Sequence, residues 1–251
     1  MSITHTERIT CACGTPLEVT VADSLNAGRH PHLKQALLDR SFHVFGCEVC
    51  RSPLVIEKDL LYFDFERRQF FCVYPRHERV REAELSAEVK RAYAAWMLER
   101  APKFMTEQGR EFLVRVCFGY EELREKIVID DAGLSDLVVE ALKIDVMTAD
   151  PWFEQAGVIT LRLDAVLPDR ALRLLPEWIE PEPPAGTEPR VATVARAIYD
   201  EIDARFDEIL VHHPGLAAGA HVSLLRLLAV EPPAPAGPPP PSDPAASDPA
   251  P

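Results

Sequence analysis

The 251-residue chain has no long apolar run, no excess of positive charge and few glycines, and each shortage removes a class of function. Its most apolar stretch, Leu216 to Val230, is interrupted by His221 and Arg226, too little to cross a bilayer that needs about 20 apolar residues. Met1 to Arg8 lacks an apolar run behind a basic start, so it does not read as a secretory signal, and the cytoplasm is the expected compartment. With 27 basic against 40 acidic side chains the net charge is −13, which repels phosphate backbones at long range and disfavours a general nucleic-acid binder. The 11 glycines form no phosphate loop, and neither a Gly-x-Ser-x-Gly elbow nor a His-Glu-x-x-His helix occurs. Enzyme classes built on those parts are therefore disfavoured. No repeat of solenoid or propeller period is visible.

What is present is a set of thiols. Cys11 and Cys13 flank one residue, Cys47 and Cys50 flank two, and each pair is followed by a turn sequence, Gly14 in one case and Arg51-Ser52-Pro53 in the other. Two close pairs of cysteines suit a single tetrahedral metal ion, zinc above all. In a reducing compartment thiols stay free, which favours metal over disulfides. Four thiolates would also close the coordination sphere and leave no position for water or substrate, so the expected role is structural. Cys72 and Cys117 lie alone on apolar runs and read as core residues.

The pattern along the chain predicts an α+β fold in several parts. Residues 1–78 read as a β-rich module with an inserted helix at His32 to Asp39, and with strands at Leu17–Val21, His43–Phe45, Leu54–Ile56, Leu60–Phe65 and Gln69–Tyr74. Residues 79–180 mix helices at Glu82–Met97, Glu121–Ile127 and Leu134–Val146 with a strand at Gly157–Leu163. Glu111 to Phe118 fits either a strand or a helix start. Glu121, Glu122, Arg124, Glu125 and Lys126 read as a solvated helix face. The proline-rich stretch 181–189 is a connector, and 190–230 is a helical segment. In that segment Val191, Val194, Ile198, Ile202, Phe206 and Ile209 trace one apolar stripe. Residues 231–251, ten of them proline, lack side chains for a core and read as a disordered tail.

These residues resemble a known family. Ile9-Thr10-Cys11-Ala12-Cys13-Gly14, then Asp23-Ser24-Leu25-Asn26, Pro31-His32-Leu33-Lys34, Phe42 to Cys50 and Leu61-Tyr62-Phe63-Asp64 look like the CpXC domain, a bacterial module of zinc-ribbon type. Arg115 to Ile127 with Gly133-Leu134-Ser135-Asp136 is similar to the region that follows it in many members. The resemblance implies a structural zinc ion on Cys11, Cys13, Cys47 and Cys50 and carries no activity with it. The first pair departs from the family pattern, since only Ala12 separates its cysteines and neither pair keeps the family's proline. His30, His32 and His43 are the histidines near enough in sequence to replace a thiolate.

The expectation is a zinc-binding module that works by binding another macromolecule, most simply a protein. One alternative is a thiol switch that releases zinc on oxidation, because the spacing also resembles the zinc-thiolate switch of the redox-regulated heat-shock chaperone. A second is a nucleic-acid-binding zinc ribbon. Residues 1–75 carry eight Lys/Arg against nine Asp/Glu, and Arg51, Lys58, Arg67 and Arg68 are its candidate basic surface.

Overall fold

The computed structural model describes residues 2–179 and 183–228, so the proline-rich tail and part of the 181–189 connector lie outside the described residues. The fold is mixed α and β, as expected. A five-stranded sheet takes β1 (Ile3–Thr10), β2 (Pro16–Asn26), β5 (Leu60–Asp64), β6 (Gln69–Tyr74) and β7 (Leu113–Phe118) in the order β1-β2-β5-β6-β7. A separate hairpin, β3 (Val44–Gly46) with β4 (Pro53–Val55), follows helix α1 (Pro31–Leu38) in the crossover between the parallel strands β2 and β5. Pro31 opens α1, where its missing N–H costs nothing.

β1 had no counterpart among the expected strands. Thr4-His5-Thr6-Glu7-Arg8 is polar on both faces, and exposed at every one of those positions but Glu7, so it shows no hydrophobic alternation. Glu111 to Phe118 resolves as a strand. It pairs in parallel with β6, so the sheet draws strands from both sides of residue 78. Its fourth strand, β6, alternates strictly, with Phe71 and Val73 buried on one face against Leu37 of α1 and Leu123 and Ile127 of α4 (Tyr120–Asp131). On the other face Val116 and Phe118 meet Leu85 and Val89 of α2 (Glu82–Tyr93).

A second core lies between α5 (Asp136–Ala149) and the antiparallel strands β8 (Thr160–Val166), β9 (Leu172–Glu177) and β10 (Ala192–Val194). Leu161, Leu163, Leu172 and Leu174 are fully buried there. The stripe from Val191 to Ile209 is not one helix. Its first residues form β10 on the edge of β9, and the rest divides at Arg205 into α7 (Arg196–Ala204) and α8 (Phe206–His212). Val194, Tyr199 and Ile202 still reach the core.

The expected solvated face of α4 is buried instead. Glu122, Arg124, Glu125 and Lys126 are each at most 8% exposed, and they meet charged groups from α5, β8, Arg79 ahead of α2 and the last described segment. Lys143 Nζ lies 2.8 Å from Glu125 Oε1 and 2.7 Å from Glu140 Oε1. Lys126 Nζ is 3.1 Å from Asp136 Oδ2, which Arg115 also grips through a fork of 2.7 and 2.9 Å. Burial alone would raise the carboxyl pKa of Asp136 and Glu125, but Lys126 and Arg115 hold the first low, and Lys143, Arg162 and Lys126 the second. The set leaves a cavity of only about 10 Å³, room for a single water.

The segment Ala220 to Leu225 closes this interior. Ala220 accepts the Val116 amide at the outer edge of β7 (3.0 Å) and donates its own to Ser86 Oγ (2.7 Å). Val222 O receives Lys126 Nζ (2.8 Å), and the Leu224 amide donates to Glu140 Oε2 (2.9 Å). His221 sits edge-on to Phe118, with its ring nitrogens 3.4 Å from Glu122 and 3.8 Å from Glu82.

Candidate metal centre

The two thiol pairs stand at the tips of two hairpins. Cys11 and Cys13 occupy the turn between β1 and β2, where the Cys11 amide donates to Thr15 O (2.9 Å) and the Gly14 amide returns to Cys11 O (2.8 Å). Gly14 adopts φ +86°, a conformation that favours glycine. Cys47 and Cys50 occupy the turn between β3 and β4, closed by Cys47 N–H to Ser52 O (3.1 Å) and Arg51 N–H to Cys47 O (2.8 Å).

Folding brings the four Sγ atoms within 4.8 Å of one another. Cys11 Sγ is 3.5 Å from Cys50 Sγ, and Cys13 Sγ is 3.7 Å from Cys47 Sγ. Zinc–sulfur bonds of about 2.3 Å in a tetrahedron set their sulfurs nearly 3.8 Å apart, so the donor set fits such an ion in both chemistry and spacing. Cys11 and Cys47 are buried, Cys13 and Cys50 exposed. Hydrogen bonds from the Ser52 hydroxyl and amide, with the adjoining Cys11 and Cys13, draw the Cys50 thiol down to about 6. The Thr15 hydroxyl and amide lower Cys13 likewise.

The histidines stand outside the cluster. His43 is buried, 7% exposed, beneath the second hairpin. Its Nε2 accepts the Ala22 amide (2.8 Å), which places its proton on Nδ1 for donation to Tyr120 Oη (2.9 Å). Tyr120 in turn donates to Lys58 O at 3.4 Å, and Phe42 stacks on the imidazole at 4.0 Å. Burial and the nearby Lys58 push the His43 pKa down to about 4, so the ring is a neutral pin between β2 and α4. His30 bonds Ser2 Oγ (2.8 Å) and packs edge-on against His32.

Residues 9–143, more than half of the chain, match the family described as CpXC protein. The chain belongs to the CpXC family. No curated protein and no solved structure matches it. Cys72 and Cys117, expected in the core of this CpXC chain, lie on β6 and β7 away from the cluster. Cys117 is fully buried, and burial lifts the Cys72 thiol to about 12.

Three of the four residues of the expected basic surface are paired with carboxylates. Lys58 is held by Glu7 (2.8 Å) and Asp23 (2.9 Å), Arg67 faces Asp131 at 3.4 Å, and Arg68 pairs with Glu111. The charged interior around Lys143 escaped the sequence reading altogether. Among the described residues no helix is long and apolar enough to cross a membrane.

Proposed function

We propose that this CpXC protein binds one structural zinc ion through Cys11, Cys13, Cys47 and Cys50, and acts as an interaction module for another macromolecule, most simply a protein. The observation that carries the reading is the convergence of four sulfurs within 4.8 Å from two turns that are separated by more than thirty residues in sequence. A small hairpin such as β3–β4 gains little from its own core, whereas structural zinc supplies roughly 10–16 kcal/mol of apparent binding energy. The ion would clamp this hairpin to the β1–β2 turn. Val49 and Val55, 71% and 64% exposed on the clamped hairpin, support a contact role. Metal analysis of reduced protein purified without chelator is expected to give about one zinc per chain. Protein that is fully folded and metal-free would refute the assignment.

A second reading is favoured by the exposure of Cys13 and Cys50 and by the short gaps across the two pairs. On it, two-electron oxidation by peroxide joins each facing pair of thiolates as a disulfide, expels zinc and reduces the peroxide to water. Zinc release together with disulfides linking residues of the two turns, mapped by mass spectrometry, supports a switch. Retention of zinc under peroxide excludes it.

A further inference from the structure

The two edges of the five-stranded sheet are treated differently. The outer edge of β7 is covered by the chain itself, through the bond from Val116 to Ala220. The outer edge of β1 has no partner strand among the described residues. Edge strands are ordinarily blunted by short length, lysine, proline or a bulge. β1 is eight residues long and contains neither lysine nor proline, and its register against β2 shifts only between Ile3 and Thr4 and is regular from Thr4 to Thr10.

The direction of its free hydrogen-bonding groups follows from the ladder. Cys11 donates its amide to Thr15, and in an antiparallel pair bonded and non-bonded positions alternate. Ile9, Glu7 and His5 therefore turn their amides and carbonyls toward β2, and Thr4, Thr6, Arg8 and Thr10 turn theirs outward. The Ile3 amide, directed inward at Ser24 Oγ (3.0 Å), agrees with that phase.

The outward groups match those of a second copy of the same strand. With a twofold axis at Thr6, Thr6 exchanges both bonds with Thr6 of the other copy, and Thr4 does so with Arg8, twice over. The same register sets Ile3 opposite Ile9, an apolar pair, and brings His5 opposite Glu7 of the other copy. The cluster each chain builds from His5, Glu7, Asp23 and Lys58 (His5 to Glu7 2.9 Å, to Asp23 2.8 Å) thus faces its mate with groups of opposite sign when His5 is protonated. A slip of one residue faces outward groups with inward ones. A slip of two sets Glu7 against Glu7 in one direction and His5 against His5 in the other. Every neighbouring register loses either bonds or charge complementarity.

We propose that the chain forms a twofold homodimer by antiparallel pairing of β1 with β1 of a second copy, in the register centred on Thr6, joining two five-stranded sheets into one of ten. This is an isologous contact, which closes on itself and forms no fibre.

The test uses the full, zinc-loaded, reduced chain. Sedimentation equilibrium is expected to show a concentration-dependent species of twice the 28.0 kDa chain mass. Thr6→Pro removes an amide that β2 does not use, and proline is tolerated on edge strands whose N–H faces solvent, so this variant is expected to be monomeric with unchanged zinc content and circular dichroism. Thr6→Cys places two sulfurs at the axis, where paired Cα atoms about 5.5 Å apart are within disulfide range. It is expected to cross-link under mild oxidation. Thr4→Cys, its mates separated by about 13 Å along the strand, is expected not to. A native chain that remains monomeric into the submillimolar range overturns the proposal. So does a dimer that survives Thr6→Pro, or equal cross-linking at both positions. Should Thr6→Pro fail to fold, the two cysteine variants decide.

Discussion

Replacing Lys143 with methionine tests whether the charged interior holds the fold together. Lys143 is 2% exposed and bridges Glu125 and Glu140 at 2.8 and 2.7 Å. Methionine fills nearly the same volume without the charge, and leaves two carboxylates buried near each other. Glu125 keeps Arg162 at 3.8 Å and Glu140 keeps Lys126 at 3.7 Å, both longer and weaker contacts. Removing one member of a buried pair costs about 3–5 kcal/mol, a large share of a typical stability of about 5–15 kcal/mol. With a urea slope of about 2 kcal/mol/M, the unfolding midpoint of Lys143→Met should fall by roughly 2 M. Adding Glu140→Gln removes one of the stranded charges, while its amide oxygen still accepts the Leu224 N–H. The double variant should therefore recover part of the loss, as a coupling energy above about 1 kcal/mol in a double-mutant cycle. A Lys143→Met midpoint within error of the native one would refute the reasoning, since that is how a solvated lysine behaves.

Chelation of zinc, or Cys47→Ser, is expected to melt the β3–β4 hairpin first, seen as loss of hydrogen-exchange protection at the amides of Ile56 and of position 47 before the β6 amides respond. His43 is held neutral in the fold, with a pKa near 4 against an ordinary 6.5. Its contribution is therefore complete above pH 6.5 and lost as pH falls toward 4, a loss of about 3 kcal/mol. His43→Phe should start from a lower stability and show a shallower decline across that window in pH-dependent urea melts. Gly119 initiates α4 at φ +85°, and a Cβ there would sit 2.8 Å from Arg76 Cγ. Gly119→Ala is accordingly expected to cost about 1–2 kcal/mol in thermal or urea unfolding. An unchanged midpoint would show that the turn relaxes freely.

The thiol centre was legible in the sequence because its chemistry is local. Two residue pairs and two turn signals name the ligands without any knowledge of the long-range path between them. The strands around it were legible where one face is buried, as in β6, whose Phe71 and Val73 alternate with half-buried neighbours. β1 was not, because an edge strand with both faces wet has no hydrophobic period to show. Val191 to Val194 joined the helical stripe that follows because two valines three apart fit either structure, and only pairing with Leu172 to Leu174 decides it. The buried charges of α4 were misassigned because isolated acidic and basic residues usually face water. A contrary signal was nevertheless present. Leu123 and Ile127 share one side of the helix and Ile129 lies nearly opposite, so α4 had to be enclosed from more than one direction.

The segment that seals the charged interior is held at residues 222 and 224 by its peptide groups as well as by its buried apolar side chains. Lys126 seeks a carbonyl there and Glu140 an amide, and almost any amino acid supplies both. The two bonds themselves thus do not depend on which apolar side chain stands at those buried positions, and they are strict about distance. A conservative exchange of Val222 leaves both bonds intact, whereas inserting or deleting a single residue between Ala220 and Leu224 would shift every grip out of reach at once.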